Sequence, residues 1–139
     1  MILALALQVA VCTPALVYDA DTLTCADGTK LRIAGVNSQE LTGDPCPRDY
    51  PCPTMRAEPA RRELVQILGG TITARRPTKH LVVRAPAFRY RVVDRTRDRL
   101  VAVVTLGNGQ DLRCGLLRVG AVAEWTKFVR RYRLQVCRN

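Results

Sequence analysis

VYDADTLTCADGTKLRIAGVNSQE, residues 17–40, holds two closely spaced aspartates (Asp19, Asp21), one arginine inside an apolar run (Arg32) and a carboxylate at its polar exit (Glu40). The apolar positions decide how those charges are presented. Leu31, Ile33 and Val36, with Leu23 and the preceding Ala15-Leu16-Val17, predict three short strands, turned first at 19–21 and again at the hairpin dipeptide Asp27-Gly28. If 30–36 is a strand, alternation sets Arg32 on the face opposite Leu31 and Ile33. A meander of this kind can bring the 19–21 turn, Arg32 and the 37–40 loop to one end of a sheet. Two acids and a guanidinium gathered there suit a divalent cation and a phosphate.

Upstream, residues 1–11 (MILALALQVAV) form an apolar run too short to span a bilayer. The run reads either as the apolar region of a secretory signal or as the start of the first strand, which leaves residues 12–139 as one domain. Downstream, residues 41–56 (LTGDPCPRDYPCPTMR) carry four prolines and no periodicity, so a loop is expected. Arg48 and Tyr50 in that loop are candidates to touch a phosphate or a base, beside the alternative of a solvated loop with structural cysteines. Glu58-Pro59-Ala60 opens a helix with proline in its first turn, Ala60, Leu64, Ile67 and Leu68 repeat at helical spacing, and Gly69-Gly70 stops it. Arg61 and Arg62 are expected to face water.

The 71–76 and 88–93 segments alternate like strands, with 77–86 expected as a connection and His80 as a loop residue within it. Residues 100–106 read as a buried strand, Gly107-Asn108-Gly109 as a turn, and a second helix is expected from Asp111, with Leu112, Leu116 and Leu117 inward and Gly120 ending it. In the tail, Trp125, Phe128 and Tyr132 interleave with Lys127, Arg130, Arg131 and Arg133. That pattern suits stacked bases and phosphates. The alternative is aromatic packing on the sheet beneath solvated arginines.

The composition is that of a globular protein, with 47% apolar and 24% charged residues among 139. Twenty-two basic against 12 acidic side chains leave a net charge of +10, which favours an anionic partner. Six cysteines in so short a chain suggest disulfides and an oxidising compartment, periplasmic or secreted. The pairing expected is Cys12 with Cys25 across the first hairpin, Cys46 with Cys52 inside one loop, and Cys114 with Cys137 pinning the tail. No C-x-x-C pair occurs and His80 is the single histidine, which argues against zinc.

The order and spacing of Tyr18-Asp19-Ala20-Asp21-Thr22, Lys30 to Val36 and Asn37-Ser38-Gln39-Glu40 resemble the (V/I)-x-D-G-D-T … x-R-L-x-G-(I/V)-D-(A/T)-P-E signature of the staphylococcal nuclease (thermonuclease) family. The likeness continues through the helix at 56–70 and the block 99–120, and covers residues 13–128. It implies a mainly β fold with helices, an OB-fold, that is a five-stranded Greek-key barrel with two or three flanking helices. It also implies a calcium-dependent nuclease that hydrolyses phosphodiesters of single-stranded DNA or RNA, acting as a monomer without stable membrane association.

By the same resemblance Asp21 would ligate Ca²⁺, Asn37 stands where the family has a second acidic ligand, and Ser38 would offer its backbone carbonyl. Glu40 takes the general-base position, and Arg32 and Arg99 the two phosphate-clamping positions, with Arg95 or Arg97 as alternatives to Arg99. Asp19 matches a nearby acid, and Asp19, Arg97, Trp125 and Phe128 are candidate substrate contacts. Asn37 in place of aspartate removes one formal charge, so calcium affinity is expected to fall; Ala20 and Gln39 replace the family's glycine and proline. The alternative reading is a secreted nucleic-acid-binding module of the same fold with weak or lost catalysis.

Overall fold

A computed structural model describes residues 9–138; residues 1–8, most of the apolar run read as a signal or first strand, and Asn139 lie outside the described residues. The protein is mainly β with three short helices. The chain opens with Ala10–Cys12 (β1) and Pro14–Asp19 (β2), then Thr22–Cys25 (β3), Lys30–Ile33 (β4) and the short Val36–Asn37 (β5). After helix Ala57–Ile67 (α1) come Thr71–Arg75 (β6), Leu81–Arg84 (β7), Phe88–Thr96 (β8) and Arg99–Thr105 (β9). Helix Leu112–Arg118 (α2), Ala123–Glu124 (β10) and helix Thr126–Arg131 (α3) complete it.

One eight-stranded sheet runs in the order β1-β8-β9-β4-β3-β2-β7-β6. All its pairings are antiparallel except β4 with β9, where Arg32 stands opposite Val101. The sheet curls for a topological reason. β1 and β2 are separated by Thr13 alone, yet β1 pairs β8 while β2 lies between β3 and β7. One almost continuous segment therefore reaches both ends of the run β3-β4-β9-β8. A second, two-stranded sheet joins β10 to β5.

The concave side holds the core. Val17, Leu23, Leu31 and Ile33 from the meander meet Leu64 of α1, Val104 of β9 and Leu112 and Leu116 of α2, all buried. The alternation expected at 30–36 holds over Lys30–Ile33, where Leu31 and Ile33 face the core and Arg32 the other side, but a turn at Ala34-Gly35 ends the strand there and Val36 belongs to β5. Asp111 caps α2, accepting from the backbone N–H groups of Arg113 and Cys114, which relieves two of the donors a helix start leaves free. Gly69, at φ +71°, ends α1 as expected.

Four further expectations need correction. The main sheet runs to eight strands, exceeding the five expected by the break between β1 and β2 and by the β6–β7 hairpin. Residues 77–86 are not only a connection, since β7 occupies 81–84 with Leu81 and Val83 buried; four residues bracketed by prolines are too short a run for alternation to stand out. Leu117 is only partly buried against the core that Leu112 and Leu116 enter. Arg61 does not face water but is 2% exposed. Its guanidinium donates to the carbonyls of Tyr18 at 3.2 Å and Lys79 at 2.6 Å and pairs with Glu58 at 2.5 Å. Carbonyls left over at the end of β2 and in the turn after β6 need a donor, a demand that helical periodicity does not reveal.

The three disulfides pair as expected: Cys12–Cys25, Cys46–Cys52 and Cys114–Cys137. They are consistent with an oxidising compartment. Among the described residues no helix is long and apolar enough to cross a membrane.

Candidate active site

The turn between β2 and β3 carries the first of the charged groups. Ala20 is fully buried in it, and Asp21 is 1% exposed. The Asp21 carboxylate is held on both oxygens: Oδ2 accepts from the Ser38 backbone N–H at 3.0 Å, and Oδ1 accepts from the Thr22 hydroxyl at 2.9 Å. Arg32 Nη1 lies 3.3 Å from Asp21 Oδ1. Thr22 and Arg32 are cross-strand partners, so the pairing of β3 with β4 sets this geometry. Arg32 reaches on through Nη2 to Asn37 Oδ1 at 3.2 Å, and the Asn37 amide donates to the Pro51 carbonyl at 2.9 Å. One guanidinium thus bridges the carboxylate and the amide that the family resemblance implies as metal donors.

These groups open into a cleft of about 710 Å³ at one end of the sheet. Its lining includes Asp19, Asp21, Arg32, Asn37, Glu40, Arg97, Arg99, Trp125 and Phe128. Arg99 Nη1 donates to Thr22 Oγ1 at 3.4 Å, which brings a second guanidinium beside the Asp21 network. Arg97 lines the cleft from the β8–β9 turn, at φ +45°. Arg95 is exposed and does not contribute to the lining. Ser38 is buried and acts through its backbone N–H.

Burial, and then the neighbouring Asp21 charge, push the Asp19 carboxyl well above the usual carboxylate range. Burial acts on Asp21 in the same sense, but the Arg32 charge and the hydrogen bonds from Thr22 and Ser38 outweigh it, and Asp21 lies below that range. Two crowded acids therefore share one guanidinium, leaving the trio net negative when both are ionised. Its two carboxylates supply oxygen donors, which a hard cation such as Ca²⁺ accepts. Among the described residues no three His, Cys, Asp or Glu side chains cluster as a full ligand set. A cation held here would draw on the Asn37 amide oxygen and backbone carbonyls as well as on carboxylate.

The far wall comes from the C-terminal segment. β10 pairs β5 so that Ala123 faces Asn37, and the Trp125 N–H donates to the Gly35 carbonyl at 2.8 Å. Gly35 has φ +77°, a conformation that favours glycine, and a Cβ there would sit 2.6 Å from the Leu134 side chain and 3.1 Å from that of Val129 in α3, so a larger residue would have to displace both. Asp94, which sequence reasoning did not assign, closes this wall with Tyr132, read from the sequence only as one of the tail aromatics: the Tyr132 hydroxyl donates to Asp94 Oδ2 at 2.7 Å. Burial, then that bond, push the Tyr132 phenol up to about 12. The hydrogen bonds from Tyr132 and from the Arg95 N–H hold Asp94 below its ordinary value. No local signal marks the pair, because 38 residues separate the partners.

No family model matches the chain, and no curated protein or solved structure matches it.

Proposed function

We propose that the protein is a calcium-dependent nuclease of the staphylococcal nuclease type, hydrolysing phosphodiesters of single-stranded DNA or RNA. The observation that carries this reading is convergence: Asp21, Arg32, Asn37, Glu40 and Arg99, spread over 79 positions of sequence, line one cleft. The sheet supports the OB-type part of the reading. Counting β1 and β2 as one bent strand, the order β2-β3-β4-β9-β8 returns to β1, with β4 and β9 parallel, as a five-stranded Greek-key barrel requires, and β6 and β7 form an added hairpin.

In this mechanism Arg32 and Arg99 grip the non-bridging oxygens of the scissile phosphate, where charge accumulates as the pentacoordinate state forms. Glu40 accepts a proton from the attacking water, for which its position on the cleft wall suits it. Asp21 and Asn37, with a carbonyl of Ser38, would hold the cation, and Asp19 adds negative potential. A bound Ca²⁺ supplies further charge neutralisation at the phosphate. Trp125, Phe128 and Arg97 hold the flanking nucleotides.

Purified protein should degrade single-stranded DNA with calcium and stop with chelator. Glu40→Gln should lower turnover by about 10² to 10⁴ with little loss of binding. Normal cleavage by that variant would remove Glu40 from the base role. One observation favours a second reading, a binding module with weak catalysis. Arg32 already engages both Asp21 Oδ1 and Asn37 Oδ1, so a cation must compete with a guanidinium for its donors. Salt-sensitive DNA retention without cleavage at any calcium level would select that reading.

A further inference from the structure

Residues 38–56 link β5 to α1 with no helix or strand of their own. Loops beyond roughly 12–15 residues are usually either disordered or functional. This one is ordered by three ties. The Cys46–Cys52 disulfide closes its middle. The Asn37 amide donates to Pro51 O at 2.9 Å and the Gln39 amide to Pro53 O at 2.8 Å. The two side chains flanking Ser38 therefore anchor the far limb of the loop to the cleft floor.

Inside the disulfide ring the chain turns at Asp49, φ +68°, with the Tyr50 N–H donating to Pro47 O at 3.0 Å. That turn carries the Tyr50 ring to 4.5 Å from the Trp125 ring, tilted by 52°. Tyr50 remains 44% exposed, and neither ring belongs to the buried core. Both rings line the cleft that contains Arg32 and Arg99. An aromatic pair that lines a cleft carrying Arg32, Arg97, Arg99 and Arg131, and that lies outside the buried core, has the geometry of a stacking platform.

We propose that loop 46–52 is a disulfide-strapped clamp that presents Tyr50 beside Trp125 to stack one unpaired base of a nucleic-acid strand whose backbone lies on Arg32 and Arg99. This rests on the nucleic-acid reading of the cleft and goes beyond it by assigning the loop and its disulfide a role in substrate binding. A base inside a duplex has both faces covered by its neighbours, so only a splayed or single-stranded base reaches these rings. The strap matters because a ring held in position loses less conformational entropy on binding than one on a free loop.

The test measures binding of a short fluorescein-labelled oligothymidylate, and of a duplex of equal length, by anisotropy in chelator so that nothing is cut. Trp125, the single tryptophan, gives a second signal through quenching of its emission. Tyr50→Ala should weaken single-strand binding about tenfold while leaving duplex binding unchanged, and Tyr50→Phe should retain it. The paired Cys46→Ser, Cys52→Ser variant should lose affinity in the same selective way when binding is measured at a temperature where its melting curve shows it folded. Tyr50→Ala binding the single strand as tightly as wild type overturns the clamp, as does equal loss for both probes. Wild-type protein that binds neither probe overturns the nucleic-acid reading itself.

Discussion

Arg32→Met deletes the charge that bridges Asp21 and Asn37 while keeping most of the side chain's apolar stem. At the 3.3 Å separation from Asp21, the Coulomb attraction is about 5 kcal/mol for an effective dielectric near 20. Desolvation has already offset part of that, but removing the guanidinium does not return Asp21 to water: the carboxylate stays 1% exposed and next to Asp19. Stripping one partner from a buried pair costs about 3–5 kcal/mol. That is a large share of a domain stability of about 5–15 kcal/mol. The reverse deletion is milder. In Asp21→Asn the orphaned Arg32, with a side chain 19% exposed, still reaches solvent and the Asn37 oxygen, so the expected cost is about 1–2 kcal/mol. The double variant should be more stable than Arg32→Met alone, because the buried charge that needed a partner has gone. Urea unfolding at neutral pH, followed by Trp125 emission, measures all three. A cost below about 1 kcal/mol for Arg32→Met, or a double variant no more stable than that single one, would refute the account of Asp21 as a buried carboxylate neutralised by Arg32.

Arg61→Ala should destabilise by about 3 kcal/mol, since it strands the Tyr18 and Lys79 carbonyls and removes a partner of Glu58. Arg61→Lys should recover less than half, because one ammonium cannot span all three groups; an unchanged thermal melt in Arg61→Ala would show that water replaces the guanidinium. Tyr132 predicts alkaline loosening of the C-terminal wall. Its folded pKa is raised above the ordinary 10.0 to about 12, so its contribution is complete below pH 10 and is lost as pH rises toward 12. Asp94 is shifted the other way, so its share is lost only as pH falls through the acidic carboxylate range. Trp125 emission should therefore change between pH 10 and 12 in wild type and show no such step in Tyr132→Phe, the comparison that checks it.

Much of the scaffold was legible in the chain because its signals are local. Alternation at Leu31, Arg32 and Ile33, the Asp27-Gly28 turn, the helix start at Asp111 and the stop at Gly69 each rest on neighbours within a few residues, and each appears in the structure. The disulfide partners were legible too, since the Cys12–Cys25 and Cys46–Cys52 pairs close short loops. The candidate site was legible as a set of residues but not as an arrangement. Periodicity placed Arg61 on a wet face, whereas two carbonyls from distant segments drew it inside.

By itself the sequence determined the meander strands, the β8 and β9 strands and the first two helices, which side chains are apolar on each, and that acids and arginines recur at the end of a meander. Only the tertiary structure decided that Arg32 spans Asp21 and Asn37, that Arg99 rather than Arg95 faces Thr22, and that Tyr50 meets Trp125. The reason is physical. Those contacts depend on the parallel register of β4 with β9, on β10 pairing β5 and on the loop that Asn37 and Gln39 tie down. Each is a long-range choice among competing partners for the same hydrogen-bonding groups, and no short window of residues contains both sides of it.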